Sequence, residues 1–283
     1  MVTTATPHLD SKQIADHAAV LASAEDRDLV VASALALASS GQAEAVLALG
    51  GLLAAPAFLE RLDPQDEPQA RVTNLSHVLR ALAANPTEAT ERVNMALADS
   101  PSFRDDPDRI IFFLPLLAAV RPMSERTVTI FRSANDQGHW GANGPLLVAN
   151  GSPPALELFT EMASDTSVET DERVDMIHWA VPAHRLMSGV LQAIAKLLDL
   201  GLEPDVDRAL LETLFDYQGD DWFGVARFAP VPPPWLEAET DVLGRYLELG
   251  YHLGQTHAFD APLGEAVERT LNEIREELAR RWA

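Results

Sequence analysis

"ANGSPPALELFTEMASD", residues 149 to 165, carries the signals that decide the fold. Ser152 is a residue type that caps helices, and Pro153 follows at a position where a missing backbone N–H is harmless. Apolar residues then recur at spacings of three and four. A diluted copy, "ANPTEATERVNMALAD", occupies residues 84 to 99. A chain that contains the same helix start twice is expected to contain repeated helical units.

Further helix signals surround this pair. Asn85-Pro86 with Glu88, and Asp106-Pro107, repeat the combination of a capping side chain and a proline. The spacing of apolar residues also predicts helices over 187–200, ended by Gly201, over 204–217 and over 262–282. The β-branched run at 127–131 has helical flanks and no partner run, so we expect no sheet. The pattern predicts about fourteen short helices and an all-α fold.

The last predicted helix combines an apolar stripe with charged pairs. Residues four apart lie on one side of a helix, so the charged pairs are expected on the solvent side and the stripe on the core side. The stripe consists of Leu263, Val267, Leu271, Ile274, Leu278 and Trp282, and the pairs are Glu265/Arg269, Glu276/Arg280 and Glu277/Arg281.

Composition limits the classes of function. The chain has 283 residues, 47% of them hydrophobic, with 43 acidic against 21 basic residues and a formal net charge of −22. Such a charge repels nucleic acid and anionic lipid, and it favours a basic partner if it serves binding at all. There is no cysteine, which excludes disulfides and thiolate chemistry and fits a cytoplasmic protein. No secretory signal is evident at the N-terminus.

The most apolar region, residues 29–59, is too interrupted to span a membrane. It carries one charged residue, Glu44, but Ser39, Ser40, Gly41 and Gln42 divide it into two segments. Each segment is shorter than the ~20 residues that a spanning helix needs. We therefore predict two buried helices there and no membrane association.

The similarity between the two stretches continues, in the same order, over several predicted helices. Aligning 84–131 with 149–195 at offsets of 64 to 66 places Ala89 on Ala155, Val93 on Phe159 and Asp99 on Asp165. It also places Arg109 on Arg173 and Met123-Ser124 on Met187-Ser188. A period of this length suits two stacked helix pairs of about 32 residues each.

In this pattern the chain resembles HEAT and armadillo α-solenoids, with Pro115 and Pro182 at positions compatible with HEAT units. The resemblance implies a right-handed α-solenoid of stacked antiparallel helix pairs, whose concave face is formed by the second helix of each pair. It implies one repeat domain over 1–283, with N-terminal helices at 1–68, the clearest repeats at 69–218 and C-terminal capping helices at 237–283.

Residues 219–236, "GDDWFGVARFAPVPPPWL", must form a loop, because three consecutive prolines prevent a helix. Its aromatic residues would serve either as an exposed binding segment or as a lid anchored on the core. A second irregular stretch, residues 133–144, has three glycines that suggest tight turns and contains His139 and Trp140.

Few residues have the spacing that catalysis or metal binding requires. Neither Asp105-Asp106 nor Asp220-Asp221 is completed to Asp-Asp-x-x-Asp, and no HExxH, G-x-S-x-G or phosphate-binding loop occurs. A weak metal candidate is the group Glu248, His252 and His257 near Asp260. Chance spacing explains it better, because two ligands on one turn plus a flexible third are easy to find, so no metal site and no cofactor are predicted.

Two functions from different classes remain. The first is a non-catalytic binding protein that takes a polypeptide partner, with a basic segment, on its concave face. The second is a small-molecule site or enzyme pocket between the solenoid and the 219–236 loop. Aromatic and histidine side chains are unfavourable to expose unless they serve binding. On this basis the candidate binding residues are His139, Trp140, His178, Trp179, Asp221, Trp222 and Trp235. His178 beside Trp179 is read either as a packed histidine or as a general base.

Overall fold

The computed structural model describes residues 8–62, 74–100, 114–136, 140–215 and 239–282. All regular structure in these ranges is helical, and none of the residues described is in a β-strand. The predicted all-α class is thereby confirmed. The chain divides into two compact units, Met1–His139 and Trp140–Ala283.

The first unit contains eight helical segments within the described ranges. Residues 114–119 are helical, and the remaining helices are α1 (Ser11–Ser23), α2 (Arg27–Ser39), α3 (Ala43–Leu53), α4 (Pro56–Leu62), α5 (Asn74–Ala84), α6 (Thr90–Asp99) and α7 (Glu125–Asp136). The second unit contains α8 (Trp140–Asn150), α9 (Pro153–Ser164), α10 (Thr170–Ala180), a 3₁₀ turn (Pro182–His184), α11 (Ser188–Leu200), α12 (Pro204–Phe215), α13 (Thr240–Thr256) and α14 (Ala261–Trp282).

Local sequence signals explain several helix ends. Asp10 caps α1 by accepting a hydrogen bond from the backbone N–H of Gln13, whose side chain bonds back to Asp10. Ser152 precedes α9, which begins at Pro153 as predicted. Gly201 ends α11 with a φ of 62°, a left-handed conformation that glycine adopts without strain.

One predicted helix start is wrong. Asn85-Pro86 does not begin α6, which starts four residues later at Thr90. The intervening residues form a turn in which the backbone N–H of Thr87 donates to Thr90 Oγ1 at 2.7 Å. This local hydrogen bond competes with helix formation at the proline. The similar signal at Asp106-Pro107 lies outside the described residues.

Two helices were predicted over the apolar region 29–59, but it forms α2, α3 and the first turn of α4, because Pro56 cannot continue α3 and begins a new helix instead. Gly41, with a φ of 64°, separates α2 from α3. Val30, Leu37 and Leu49 are fully buried, and α2 and α3 pack on each other and on α1. Over the described part of the chain, no helix is both long and apolar enough to cross a membrane.

In the second unit, helices two apart along the chain are in contact, and α10 and α12, α11 and α13, and α12 and α14 run in the same direction. Arg173, near the start of α10, contacts Glu203, just before α12, and His178, near the end of α10, approaches Glu212, near the end of α12. The same contacts between alternate helices join α8 to α10 and α12 to α14, and join α9 to α11 and α11 to α13. We call the first set the even row (α8, α10, α12, α14) and the second the odd row (α9, α11, α13).

The C-terminal helix α14 follows its predicted stripe with two corrections. The predicted core residues up to Leu278 are buried, but Trp282, in the last turn of α14, is 75% exposed. Glu277, predicted on the solvent side, is buried and forms ion pairs with Arg280 and Arg281. Its carboxylate is shielded from water by these two guanidinium groups.

Candidate functional site

A chain of ion pairs crosses the even row. His178 Nε2 lies 3.7 Å from Glu212 Oε2, and Arg208 Nε donates to Glu212 Oε1 at 2.6 Å. Arg208 Nη1 continues to Asp260 Oδ2 at 3.0 Å. We call His178, Arg208, Glu212 and Asp260 the even-row ridge. It joins α10, α12 and the residue before α14.

The local structure positions each member of this ridge. Arg208 and Glu212 lie four residues apart on α12, so their side chains are neighbours on one face. Asp260 is held at the start of α14, where its Oδ1 accepts a hydrogen bond from the backbone N–H of Leu263 at 3.1 Å. His178 is in the last turn of α10, which runs beside α12.

The ridge combines exposed charges with one partly buried carboxyl. The hydrogen bond with Glu212, together with the charges of Glu212 and Asp260, raises the pKa of Arg208. Burial raises the pKa of Asp207, against a backbone hydrogen bond from Leu202 and the nearby charge of His257. Oδ1 of Asp207 is buried without a hydrogen-bond partner among the groups the structure describes. The ionised form of this carboxyl is therefore disfavoured by its burial.

An exposed tryptophan and several acids lie on α10 beside the ridge. Trp179 is 40% exposed, and Asp175 and Glu172 precede it by four and seven residues on the same helix face. Within the described ranges neither Glu172 nor Asp175 has a cationic partner. Tryptophan is enriched in the energetically dominant positions of protein interfaces, and unpaired carboxylates attract cationic side chains. This face of α10 therefore presents an exposed aromatic ring beside two carboxylates that form no ion pair with a described residue.

The predicted site residues fall into three groups. His178 and Trp179 lie on α10, at or beside the ridge. Trp140 begins α8, in the same row of helices. The other four, His139, Asp221, Trp222 and Trp235, lie outside the described residues, as does the 219–236 loop, so the predicted pocket against that loop stays a prediction.

The weak metal candidates point to different neighbours. Glu248 and His252 are exposed on α13, and His252 Nε2 lies 3.8 Å from Asp199 Oδ1 of α11. His257 follows α13, where its Nδ1 lies 2.9 Å from Thr256 Oγ1. No three His, Asp or Glu side chains are grouped to hold a metal ion in the portion of the chain described.

Sequence patterns did not identify Arg208, Glu212 or Asp207. The spacing of four between Arg208 and Glu212 is the one signal that would have suggested an ion pair on α12. Nothing in the sequence indicates that Arg208 meets Asp260, which lies 52 residues further along the chain. That contact depends on the packing of α12 beside α14.

Comparisons with protein-family models, with curated proteins and with solved structures gave no match for this chain. The two rows of helices and the chemistry of the α10 face therefore carry the functional proposal that follows.

Proposed function

We propose that the chain is a non-catalytic binding protein, built as a right-handed α-solenoid of stacked antiparallel helix pairs, that recognises a basic polypeptide segment. The observation that carries the proposal is the parallel, side-by-side arrangement of alternate helices in the second unit. Stacked helix pairs produce this arrangement, since each pair repeats the direction of the pair before it.

The connections between helices support a pairing of α9 with α10, α11 with α12 and α13 with α14. Each of these pairs is in contact and is joined by no more than five residues. Short connections are typical of antiparallel helix neighbours. With this pairing the second helices are α10, α12 and α14, which belong to the even row. The proposed concave face is then the face that carries the ridge.

The chemistry of this face favours a cationic partner. Glu172 and Asp175 have no described counter-ion, and the one cation of the ridge, Arg208, is already neutralised by Glu212 and Asp260. The chain as a whole has a formal charge of −22. The net negative charge would therefore attract a basic segment at long range. Its cationic side chains could then pair with Glu172 and Asp175 beside Trp179.

The test is selection from a displayed library of random short peptides, followed by titration of the selected peptides against the purified chain. We expect the selected sequences to be rich in lysine and arginine and their affinity to fall as salt is raised. The double variant Glu172→Gln/Asp175→Asn should weaken binding about tenfold, since it removes two carboxylates from the proposed face.

A matched control separates a specific face from general attraction to an acidic protein. Glu157→Gln/Glu248→Gln changes the net charge equally but alters exposed positions on the odd row. We expect this control to bind the selected peptides within about twofold of the original chain, as rim charges contribute little affinity. Equal losses in both variants, or a selection without basic peptides, would contradict the proposal.

A further inference from the structure

We propose that α10 carries a site for an arginine side chain, in which a guanidinium group stacks on the indole ring of Trp179 and pairs with the carboxylate of Asp175. The inference rests on the proposed function, because it names the residue type that the α10 face selects in a basic partner. Its structural basis is the order of side chains along one helix, where Asp175 precedes Trp179 by four residues and Glu172 precedes Asp175 by three.

The indole ring of Trp179 is accessible from solvent. The residue is 40% exposed, although Ile177 and Ala180 on either side of it are buried. Long side chains on a helix lean over the turn that precedes them, and residues four apart are neighbours on the helix surface. The ring of Trp179 is therefore directed toward the turn that contains Asp175. A ring face beside a carboxylate attracts a cation through both groups at once.

The helices around α10 supply no counter-charge to these two acids. Neither Glu172 nor Asp175 forms an ion pair with a described residue. Arg173 on α10 is bonded to Glu203, and Arg208 on α12 is neutralised within the even-row ridge. The helix α8, which also packs on α10, contains no charged residue. Both carboxylates are therefore available to a cation that a partner brings.

A ring beside a carboxylate favours arginine over lysine. The guanidinium is planar, so its face stacks on an aromatic ring while its edge donates N–H groups to a carboxylate. The ammonium group of lysine is a compact, strongly hydrated charge that loses water on contact with a ring. The chain uses the first arrangement internally, since the guanidinium of Arg275 lies 5.7 Å from the centre of the Tyr251 ring. Glu172, about 10 Å from Trp179 along the helix axis, is left for a second cation of the same segment.

The test compares two synthetic peptides of equal charge, hexa-arginine and hexa-lysine, each acetylated at one end and amidated at the other. Isothermal titration calorimetry against the purified chain, at one salt concentration, gives the dissociation constant of each peptide. We expect hexa-arginine to bind about fivefold more tightly than hexa-lysine. Trp179→Leu should reduce this ratio to less than about twofold by weakening the binding of hexa-arginine alone. Trp179→Phe keeps an aromatic face and should retain part of the preference, so it decides the question if the leucine variant does not fold.

Trp282→Leu is the matched control for removal of an exposed tryptophan. Trp282 is 75% exposed, but its neighbours in the last turn of α14 are Arg280 and Arg281 and not carboxylates. Its substitution should leave the ratio between the two peptides unchanged. An equal loss of preference in this control, or an unchanged ratio in both Trp179 variants, would overturn the arginine site.

The double variant Glu172→Gln/Asp175→Asn separates this inference from the proposed function. It should weaken the binding of both peptides, because it removes the two carboxylates. If the original chain binds both peptides equally and the double variant weakens both, the arginine site is overturned but the recognition of a basic segment is supported. If the original chain binds neither peptide, both proposals are overturned.

Discussion

Arg173 and Glu203 form a bidentate ion pair between α10 and the start of α12. Nη2 of Arg173 lies 2.7 Å from Oε1 of Glu203, and Nη1 lies 3.0 Å from Oε2. The arginine side chain is 1% exposed, but that of the glutamate is 38% exposed. The two partners therefore differ in their access to water. For this reason, removing one partner should change the free energy of unfolding more than removing the other.

Removing the glutamate should destabilise the fold more than removing the arginine. Glu203→Gln leaves a buried guanidinium without its counter-charge, whereas Arg173→Met leaves a carboxylate that water can reach. Urea unfolding of the two variants measures which substitution lowers the free energy of unfolding more. A larger loss in Arg173→Met would mean that the aliphatic packing of Arg173, and not its charge, is the main contribution.

The same pair should make the second unit sensitive to acid. The Arg173 side chain lowers the pKa of Glu203 below its usual value of 4.5. A group with a lowered pKa in the folded state contributes stability above its unfolded pKa and loses it as the pH falls through the folded pKa. The stability lost on acidification below about pH 4.5 should therefore be smaller in Glu203→Gln than in the original chain. Unfolding measured at a series of pH values tests this, and identical pH profiles would contradict it.

Asp207→Asn should stabilise the protein near neutral pH. Burial raises the pKa of Asp207 above 3.8, so the ionised carboxylate opposes folding at a pH above its folded pKa. An amide removes that charge and keeps similar volume. The gain should be present at pH 7 and should shrink as the pH falls toward the usual value of 3.8.

Asp205→Asn is the control for this effect. Asp205 is exposed on the same helix, so its substitution should change the free energy of unfolding by less than about 0.5 kcal/mol. A destabilised Asp207→Asn would show that the carboxylate makes a favourable interaction with His257 that outweighs its burial.

Two adjacent glycines in α3 should respond oppositely to alanine. A Cβ added at Gly50 would lie 2.4 Å from Val93 Cγ2, and the branched side chain of Val93 has little freedom to move. Gly50→Ala should therefore cost about 1–3 kcal/mol. A Cβ at Gly51 meets nothing within 4 Å, so Gly51→Ala should stabilise the helix by about 0.5–1 kcal/mol. Equal effects in chemical denaturation would show that α3 and α6 do not pack this closely.

Two tyrosines in α13 offer a similar comparison. Tyr246 is fully buried, its hydroxyl donates to the backbone oxygen of Leu214, and its ring lies edge-on to Phe215 at 5.7 Å. Burial also raises its pKa. Tyr246→Phe leaves a buried carbonyl without its donor and should cost about 1 kcal/mol in urea unfolding.

Tyr251 is the control, since it is 47% exposed, its ring lies under the guanidinium of Arg275 at 5.7 Å, and its hydroxyl accepts from Arg275 at the surface, where water can replace that bond. Tyr251→Phe keeps the ring and should change the stability by less than about 0.5 kcal/mol. Equal losses would indicate that the Tyr246 hydroxyl is not bonded to Leu214.

The helices themselves were largely predictable, and the exceptions have local causes. The start of α9 at Pro153 and the end of α11 at Gly201 follow from backbone preferences of single residues. The start expected at Asn85-Pro86 was wrong because a hydrogen bond between Thr87 and Thr90 stabilises a turn instead. Trp282 fitted the apolar stripe of α14 but is exposed, because helix periodicity does not show which part of a stripe another element covers.

By itself the amino-acid sequence determined the all-helical class, the approximate bounds of α11, α12 and α14 and the predominance of acid, because propensity, capping and charge act within a few residues of one another. The choice of His178 and Trp179 as binding residues stays a prediction. Only the tertiary structure decided that Arg208 meets Asp260, that Arg173 is buried against Glu203 and that Asp207 is partly removed from water. Those relationships depend on which helices lie side by side, and that is set by the fit of many side chains across each contact, which no short stretch of sequence encodes.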